Sequence, residues 1–312
     1  MPDRRHVPGP TARSVGSGTV RRSEPFIAPL NPSNLYGHLA ATAVPGVEEW
    51  RCGVYRAVVP VGDRTAVAEV GLPEDGAVPV TLRLEDARDE AEVVGRVRRT
   101  FDLDLDPAAM AGVLAADAAL APLVAAGPGR RAPGTLDPEA MVLRAVIGQQ
   151  VSTAAARTHT ARLVAAFGES LAEPSGGLTH RFPTAAALVA DPGRVGEVLR
   201  MPATRIRTVL TVAAALADGA VDLAADPAAV RAALLALPGV GPWTADTVLM
   251  RALHVDAFLP ADLGVVQAAK RLGLPEAPRA LAGRAEAWRP YRTHAVQYLW
   301  ATGVHAVNSL PV

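Results

Sequence analysis

Two residue types are almost missing from this chain of 312 residues: cysteine occurs once, as Cys52, and lysine once, as Lys270. A single cysteine excludes an internal disulfide framework, a cysteine-ligated zinc site and a four-cysteine iron–sulfur cluster. A single lysine means that ionic contacts are guanidinium contacts, which favour bidentate geometry. Aromatic residues make up only 4% of the chain, and net charge is zero, with 31 basic against 31 acidic residues. No long apolar run is present. The uncharged stretch Thr208–Ala217 is far too short to span a bilayer, and the N-terminus has no apolar signal segment. These absences point to a cytoplasmic protein with no membrane partner. What is present is a half-hydrophobic composition, which excludes a wholly disordered chain, and a length that suits two or three domains.

The zero net charge conceals an uneven distribution. Residues 1–31 hold five arginines and two acids among scattered Pro, Gly and Ser, and read as a disordered basic arm or a start-site extension without a role. Residues 32–110 read as a small α+β unit with eight arginines and fourteen acids. In that unit Trp50–Val61, Arg64–Val70 and Val78–Leu84 are β-rich runs, and Asn34–Thr42 and Asp89–Phe101 have helical patterns. Cys52, beside the first β-rich run, reads as a small buried filler. Residues 111–312 are almost all helical, with eighteen basic and fifteen acidic residues. Asp137-Pro138-Glu139 starts one of these helices with N-cap chemistry.

The most informative stretch is Leu237-Pro238-Gly239-Val240-Gly241-Pro242-Trp243-Thr244-Ala245, between two amphipathic helices. Two glycines one residue apart allow a tight turn and a close approach by another molecule. The free N–H groups and dipole at the start of the second helix then favour an anion such as a nucleic-acid phosphate. Pro-Gly-x-Gly also fits an ordinary corner between two helices. The second signal is Phe258-Leu259-Pro260-Ala261-Asp262, which places Asp262 21 residues after Gly241 at the start of a helix. Asp262 suits an N-cap. Beside a bound phosphate, its carboxylate is also placed to stabilise an oxocarbenium-like sugar cation, and the two roles are compatible.

These segments together resemble the helix–hairpin–helix DNA glycosylase superfamily, and within it the DNA-3-methyladenine glycosylase II (AlkA) type. Leu143–Ser152 is similar to that family's helix and loop at the lesion, and Trp288–Arg292 with Gln297–Trp300 to its closing helix. Residues from Leu35 through the β-rich unit are similar to its N-terminal TBP-like domain. The resemblance covers about 32–305. It implies an α+β, mostly α fold: a TBP-like unit over 32–110, then an all-helical helix–hairpin–helix core over 111–312 with the active site between two helical lobes.

The implied activity is base-excision repair by a monofunctional DNA glycosylase. It would hydrolyse the N-glycosidic bond of alkylated or otherwise damaged purines after base flipping. The alternative is a non-catalytic helix–hairpin–helix protein that binds damaged DNA. By position, Asp262 becomes the catalytic carboxylate, and Gly239, Val240, Gly241, Trp243 and Thr244 the phosphate-binding hairpin. Trp243, Tyr291, His38, Thr247 and Leu263 become the base pocket, and Gln150 the wedge. Tryptophan at 243 occupies the place of the lyase branch's nucleophilic lysine, so Schiff-base chemistry is not expected there. Trp288, Tyr298 and Trp300 read as core packing, and Arg205 and Arg207 as phosphate contacts or a solvated helix face. The seven histidines show no metal-ligand spacing. No cofactor is expected, although the hairpin carbonyls are candidate ligands of a monovalent cation. The implied partner is double-stranded DNA containing damaged bases, bound by a monomer that is nucleoid-associated when on DNA.

Overall fold

The structure, a computed structural model, describes residues 18–311. Its N-terminal unit is a five-stranded antiparallel sheet in the order β1-β5-β4-β3-β2. The strands are β1 (Gly18–Pro25), β2 (Glu48–Arg51), β3 (Val54–Val61), β4 (Arg64–Val70) and β5 (Ala77–Leu84). Alternation sets the faces: along β5, Val78, Val80, Leu82 and Leu84 point inward and are buried. They meet α1 (Pro32–Thr42) and α2 (Glu90–Thr100) in a core closed by Tyr36, Phe101 and Leu103. Each such side chain contributes about 1.5–3 kcal/mol when fully buried.

Three expectations for this part need correction. The basic arm does not extend to residue 31, because residues 18–25 form β1, which pairs antiparallel with β5 from Gly18↔Leu84 to Pro25↔Ala77. Residues 1–17 of that arm lie outside the described residues. Within β1, Arg22 binds Glu24 and Glu90, and buried Glu24 also receives Arg98. The run Trp50–Val61 is two strands, split by a tight turn in which Cys52 has φ 51° and Gly53 φ 77°. Positive φ at both central residues matches the right-handed twist of a two-residue hairpin. Cys52 is therefore an exposed turn residue and not a buried filler.

The remaining helices are α3 (Pro107–Leu114), α4 (Ala121–Ala126), α5 (Pro138–Ile147), α6 (Thr153–Phe167), α7 (Ala185–Ala190), α8 (Pro192–Leu199), α9 (Ala203–Ala217), α10 (Pro227–Leu235), α11 (Pro242–Arg251), α12 (Leu263–Arg271), α13 (Pro278–Ala285) and α14 (Arg292–Ala301). A small hairpin of β6 (Ser170–Ser175) and β7 (Leu178–His180) follows α6. An Asp-Pro pair starts α3, α5, α8 and α10, at Asp106, Asp137, Asp191 and Asp226. The aspartate caps an otherwise orphaned N–H, and proline tolerates the first turn because its missing donor is not needed there. Among the described residues no helix is long and apolar enough to cross a membrane.

The helices form two cores. One unites α5 to α10; the other unites α3, α4, α12, α13 and α14 around Phe258 and Trp288. The boundary expected at 110/111 therefore falls inside α3, whose Met110 and Leu114 pack in the second core. Helix α11 belongs to both: Ala245 and Val248 enter the first core, Leu249 and Met250 the second. The connection from α4 to α5 is largely buried between the sheet unit and the helices. Its Arg131 is fully buried and donates to the carbonyls of Ile27, Pro29, Asp102 and Leu105. Arg144 on α5 ties the first helical core to the sheet unit through Glu48 and the Thr42 carbonyl, both at 2.9 Å.

Asp137 caps α5 by accepting the Ala140 N–H at 3.0 Å, and burial pushes its carboxyl up to about 6. A raised carboxyl pKa favours the folded state in acid, and that contribution is lost as pH rises through about 6. Asparagine caps as well as aspartate without carrying the charge. Asp137→Asn should therefore raise the melting temperature at pH 8 by about 2 °C or more, with the gain vanishing towards pH 4. Thermal unfolding across that range checks it; a variant less stable at pH 8 contradicts it.

Candidate active site

The hairpin between α10 and α11 turns where its glycines allow. Gly239 has φ 87°, and a Cβ there would lie 2.1 Å from the Thr208 hydroxyl of α9. Gly241 is the extended N-cap of α11, followed by Pro242. The Val240 N–H bonds the Leu237 carbonyl, and those of Thr244 and Ala245 bond the Gly241 carbonyl. The N–H groups of Gly239, Gly241 and Trp243 have no acceptor among the described residues. The anion-binding capacity of the hairpin is thus narrower than the five residues expected, because Val240 and Thr244 use their amides internally.

The loop between α5 and α6 is fastened to this hairpin. The Gln149 carboxamide donates to the Gly239 carbonyl at 3.1 Å and to the Thr244 hydroxyl at 2.8 Å. Arg205 of α9 donates to the Gln149 carbonyl and to Gln150 Oε1. Gln150 itself is exposed with φ 55°, a left-handed conformation that marks the loop tip. Arg205 is therefore engaged with the loop. Sequence reasoning missed Gln149, whose amide takes one lone pair of a hairpin carbonyl that was a candidate cation ligand.

Asp262 is the N-cap of α12 and is half-buried. Its Oδ1 accepts the Val265 N–H at 3.1 Å and the Trp300 indole N–H at 2.7 Å; its Oδ2 accepts the Trp243 indole N–H at 3.0 Å. A carboxylate has about four acceptor positions, so these three donors leave one, on Oδ2. Trp243, Thr247 and Arg251 follow at i, i+4 and i+8 along one face of α11. The Thr247 hydroxyl bonds the Trp243 carbonyl at 2.7 Å. Leu263, next to Asp262, is an apolar side chain 72% exposed.

His38 reaches the same region from α1. Its imidazole is held well below its ordinary range by burial and by the Arg251 and Arg144 guanidiniums, with His305 adding to the effect. The site thus draws on α1, α11, α12 and α14, and it lies where the two helical cores meet at α11.

One expectation fails here. Trp300 is not simple core packing, because its indole holds Asp262. Trp288 and Tyr298 do pack in the core, bonding Asp117 and the Gly127 carbonyl. Tyr291 is the N-cap of α14, and its ring packs edge-on against His294, 5.8 Å away. His294 and His254 both bond buried Asp102 and line a separate cavity of about 280 Å³ at the junction with the sheet unit. Among the described residues no group of three or more His, Cys, Asp or Glu side chains could hold a metal ion.

Comparison with known proteins fits this geometry. A family model described as the AlkA N-terminal domain matches residues 24–137. DNA-3-methyladenine glycosylase 2 of Escherichia coli (strain K12) is 31% identical over 280 residues, covering 88% of this chain and 94% of the relative. The chain belongs to the DNA-3-methyladenine glycosylase 2 (AlkA) family. A Mycobacterium tuberculosis (strain H37Rv) protein described as "Probable bifunctional transcriptional activator/DNA repair enzyme AlkA" is 44% identical over 302 residues, covering 96% of this chain. The chain spans 60% of the length of that AlkA relative. The fold is that of a solved 3-methyladenine DNA-glycosylase from Archaeoglobus fulgidus, with TM-score 0.76, 20% identity and coverage of 90% and 97% of the two chains.

Gly264 is what admits the second indole of this AlkA-family site. A Cβ there would lie 2.8 Å from Trp300 Cδ1 and 3.2 Å from Asp262 Oδ1. Gly264→Ala should destabilise the protein by about 1–3 kcal/mol through overpacking. Gly283→Ala on α13, where a Cβ meets nothing within 4 Å, should instead stabilise by about 0.5–1 kcal/mol. Urea unfolding of the two variants checks the contrast, and equal effects contradict it.

Proposed function

We propose that this chain is a monofunctional DNA glycosylase of base-excision repair, acting as a monomer on double-stranded DNA that contains alkylated or otherwise damaged purines. The observation that carries the reading is a carboxylate held by two indoles and a helix N-terminus, with one acceptor position free, beside an exposed hairpin of unpaired N–H groups. A protein that only bound DNA would need the hairpin and not this carboxylate.

The residues divide the work. The amides of Gly239, Gly241 and Trp243 hold a backbone phosphate and fix the register of the strand. Gln150, at the tip of a loop braced by Gln149 and Arg205, enters the space left by the extruded nucleotide and offers hydrogen bonds to the orphaned base. The flipped purine is received among Trp243, Tyr291, Thr247, Leu263 and His38, with Trp300 beside them. An alkylated purine carries positive charge and stacks favourably on indole faces. It is also a good leaving group, so the barrier lies mainly in the developing sugar cation. Asp262 stabilises that cation electrostatically, and water takes C1′, releasing the base and leaving an abasic site. Lys270 is exposed on the last turn of α12, eight residues or about 12 Å from Asp262, too far to form a Schiff base there.

The test is base release from duplexes carrying 3-methyladenine, hypoxanthine or ethenoadenine, with borohydride added in parallel. Release of at least one base with no trapped covalent adduct is expected. Tight binding of the lesion duplexes with no base release would favour a non-catalytic damage-binding protein, and a trapped adduct would favour a lyase.

A further inference from the structure

Arg251 is a cation in an unusual place. It is 4% exposed, stands two turns after Trp243 on the α11 face that lines the site, and lies over the Trp300 ring, 5.4 Å from its centroid. Among the described residues its only hydrogen bond is to the Pro133 carbonyl, on the buried connection between α4 and α5. Most arginines of the sheet unit sit in ion pairs with neighbouring carboxylates; Arg251 makes none within contact distance. Burying an unpaired guanidinium is unfavourable unless something nearby compensates it. Burial pushes this one down to about 9, and the single charge that opposes the shift is Asp262. The titratable and charged groups facing it are thus Asp262 from α12 and His38 from α1, the latter held neutral in part by Arg251 itself.

We propose that Arg251 is a positioning residue for the proposed glycosylase reaction, acting on Asp262 in two ways. Its guanidinium presses on the face of Trp300 and fixes that indole where its N–H meets Asp262 Oδ1. Its positive charge, buried on the same site, attracts the Asp262 carboxylate and holds it in place when a cationic sugar develops beside it. The Pro133 carbonyl anchors the guanidinium, so the connection between the cores and the sheet unit helps to place the catalytic carboxylate. The assignment deepens the glycosylase reading and rests on it.

The experiment compares the wild type with Arg251→Met, Arg251→Lys, Trp300→Leu and the Arg251→Met/Trp300→Leu pair. Single-turnover base release and duplex affinity are measured on the lesion that the wild type processes best. Methionine keeps bulk without charge, whereas lysine keeps charge without the planar fork. Arg251→Met should slow the single-turnover step at least about tenfold with affinity within about twofold, and Arg251→Lys should recover most of that loss. The double variant should be no slower than about threefold below the worse single variant, because both changes release the same carboxylate.

Met and Lys variants that match the wild type would overturn the proposal. So would Met and Lys variants equally slow with weakened duplex affinity, which indicates a packing role, or a double variant whose losses multiply. If Arg251→Met does not fold, Arg251→Gln against Arg251→Lys makes the same comparison of charge. A wild type that releases no base from any lesion defeats the glycosylase reading itself; an active wild type indifferent to residue 251 defeats only the positioning role.

Discussion

A carboxylate that accepts three hydrogen bonds from three different elements sets the geometry of this protein's site. Asp262 receives one donor from its own helix, one from the start of α11 and one from the end of α14. Hydrogen bonds to a charged group contribute about 1.5–3 kcal/mol each, enough to fix a half-exposed side chain against solvent competition. The same bonds set the distance between the hairpin and the helix that carries the acid. A phosphate on the hairpin amides, as proposed, would thereby stand at a fixed offset from the carboxylate.

The sheet unit contributes to this arrangement from behind. Its junction with the helices is polar and buried: Arg131 satisfies four carbonyls, and Asp102 accepts from His254, His294 and the Ala132 N–H. Such a network gains little net stability over apolar packing, but it accepts only one alignment of the parts that meet there. Two consequences reach the site. Helix α1 is placed so that His38 faces the Arg251 side of α11, and the connection through Pro133 meets Arg251 directly. The N-terminal unit is therefore a buttress of the site as well as a neighbour of it.

Much of this was legible in the sequence because it is local. The Gly239–Gly241 spacing, the Pro260–Asp262 helix start and the alternation along β5 are each encoded within a few residues. So are the Asp-Pro helix starts. Strand β1 was hidden because its outward residues are polar on both faces and only Glu24 is buried, so no alternation marks it. Trp300 was hidden because it lies 38 residues from Asp262 and joins it only where Gly264 leaves room. Arg251 had a usable signal in its i+8 spacing from Trp243, but the stripe acquires meaning only once Trp243 is known to face the carboxylate.

The central claim is that Asp262 supplies the charge for glycosidic bond cleavage and is not merely a helix cap. Asparagine preserves the cap and the shape while removing the charge and the second acceptor oxygen, the one that faces the Trp243 indole. The most direct measurement is therefore single-turnover base release by Asp262→Asn on a lesion duplex that it binds as tightly as the wild type does. The account predicts a loss of at least about a hundredfold in rate with unchanged affinity. Equal rates of base release by the two proteins would contradict it.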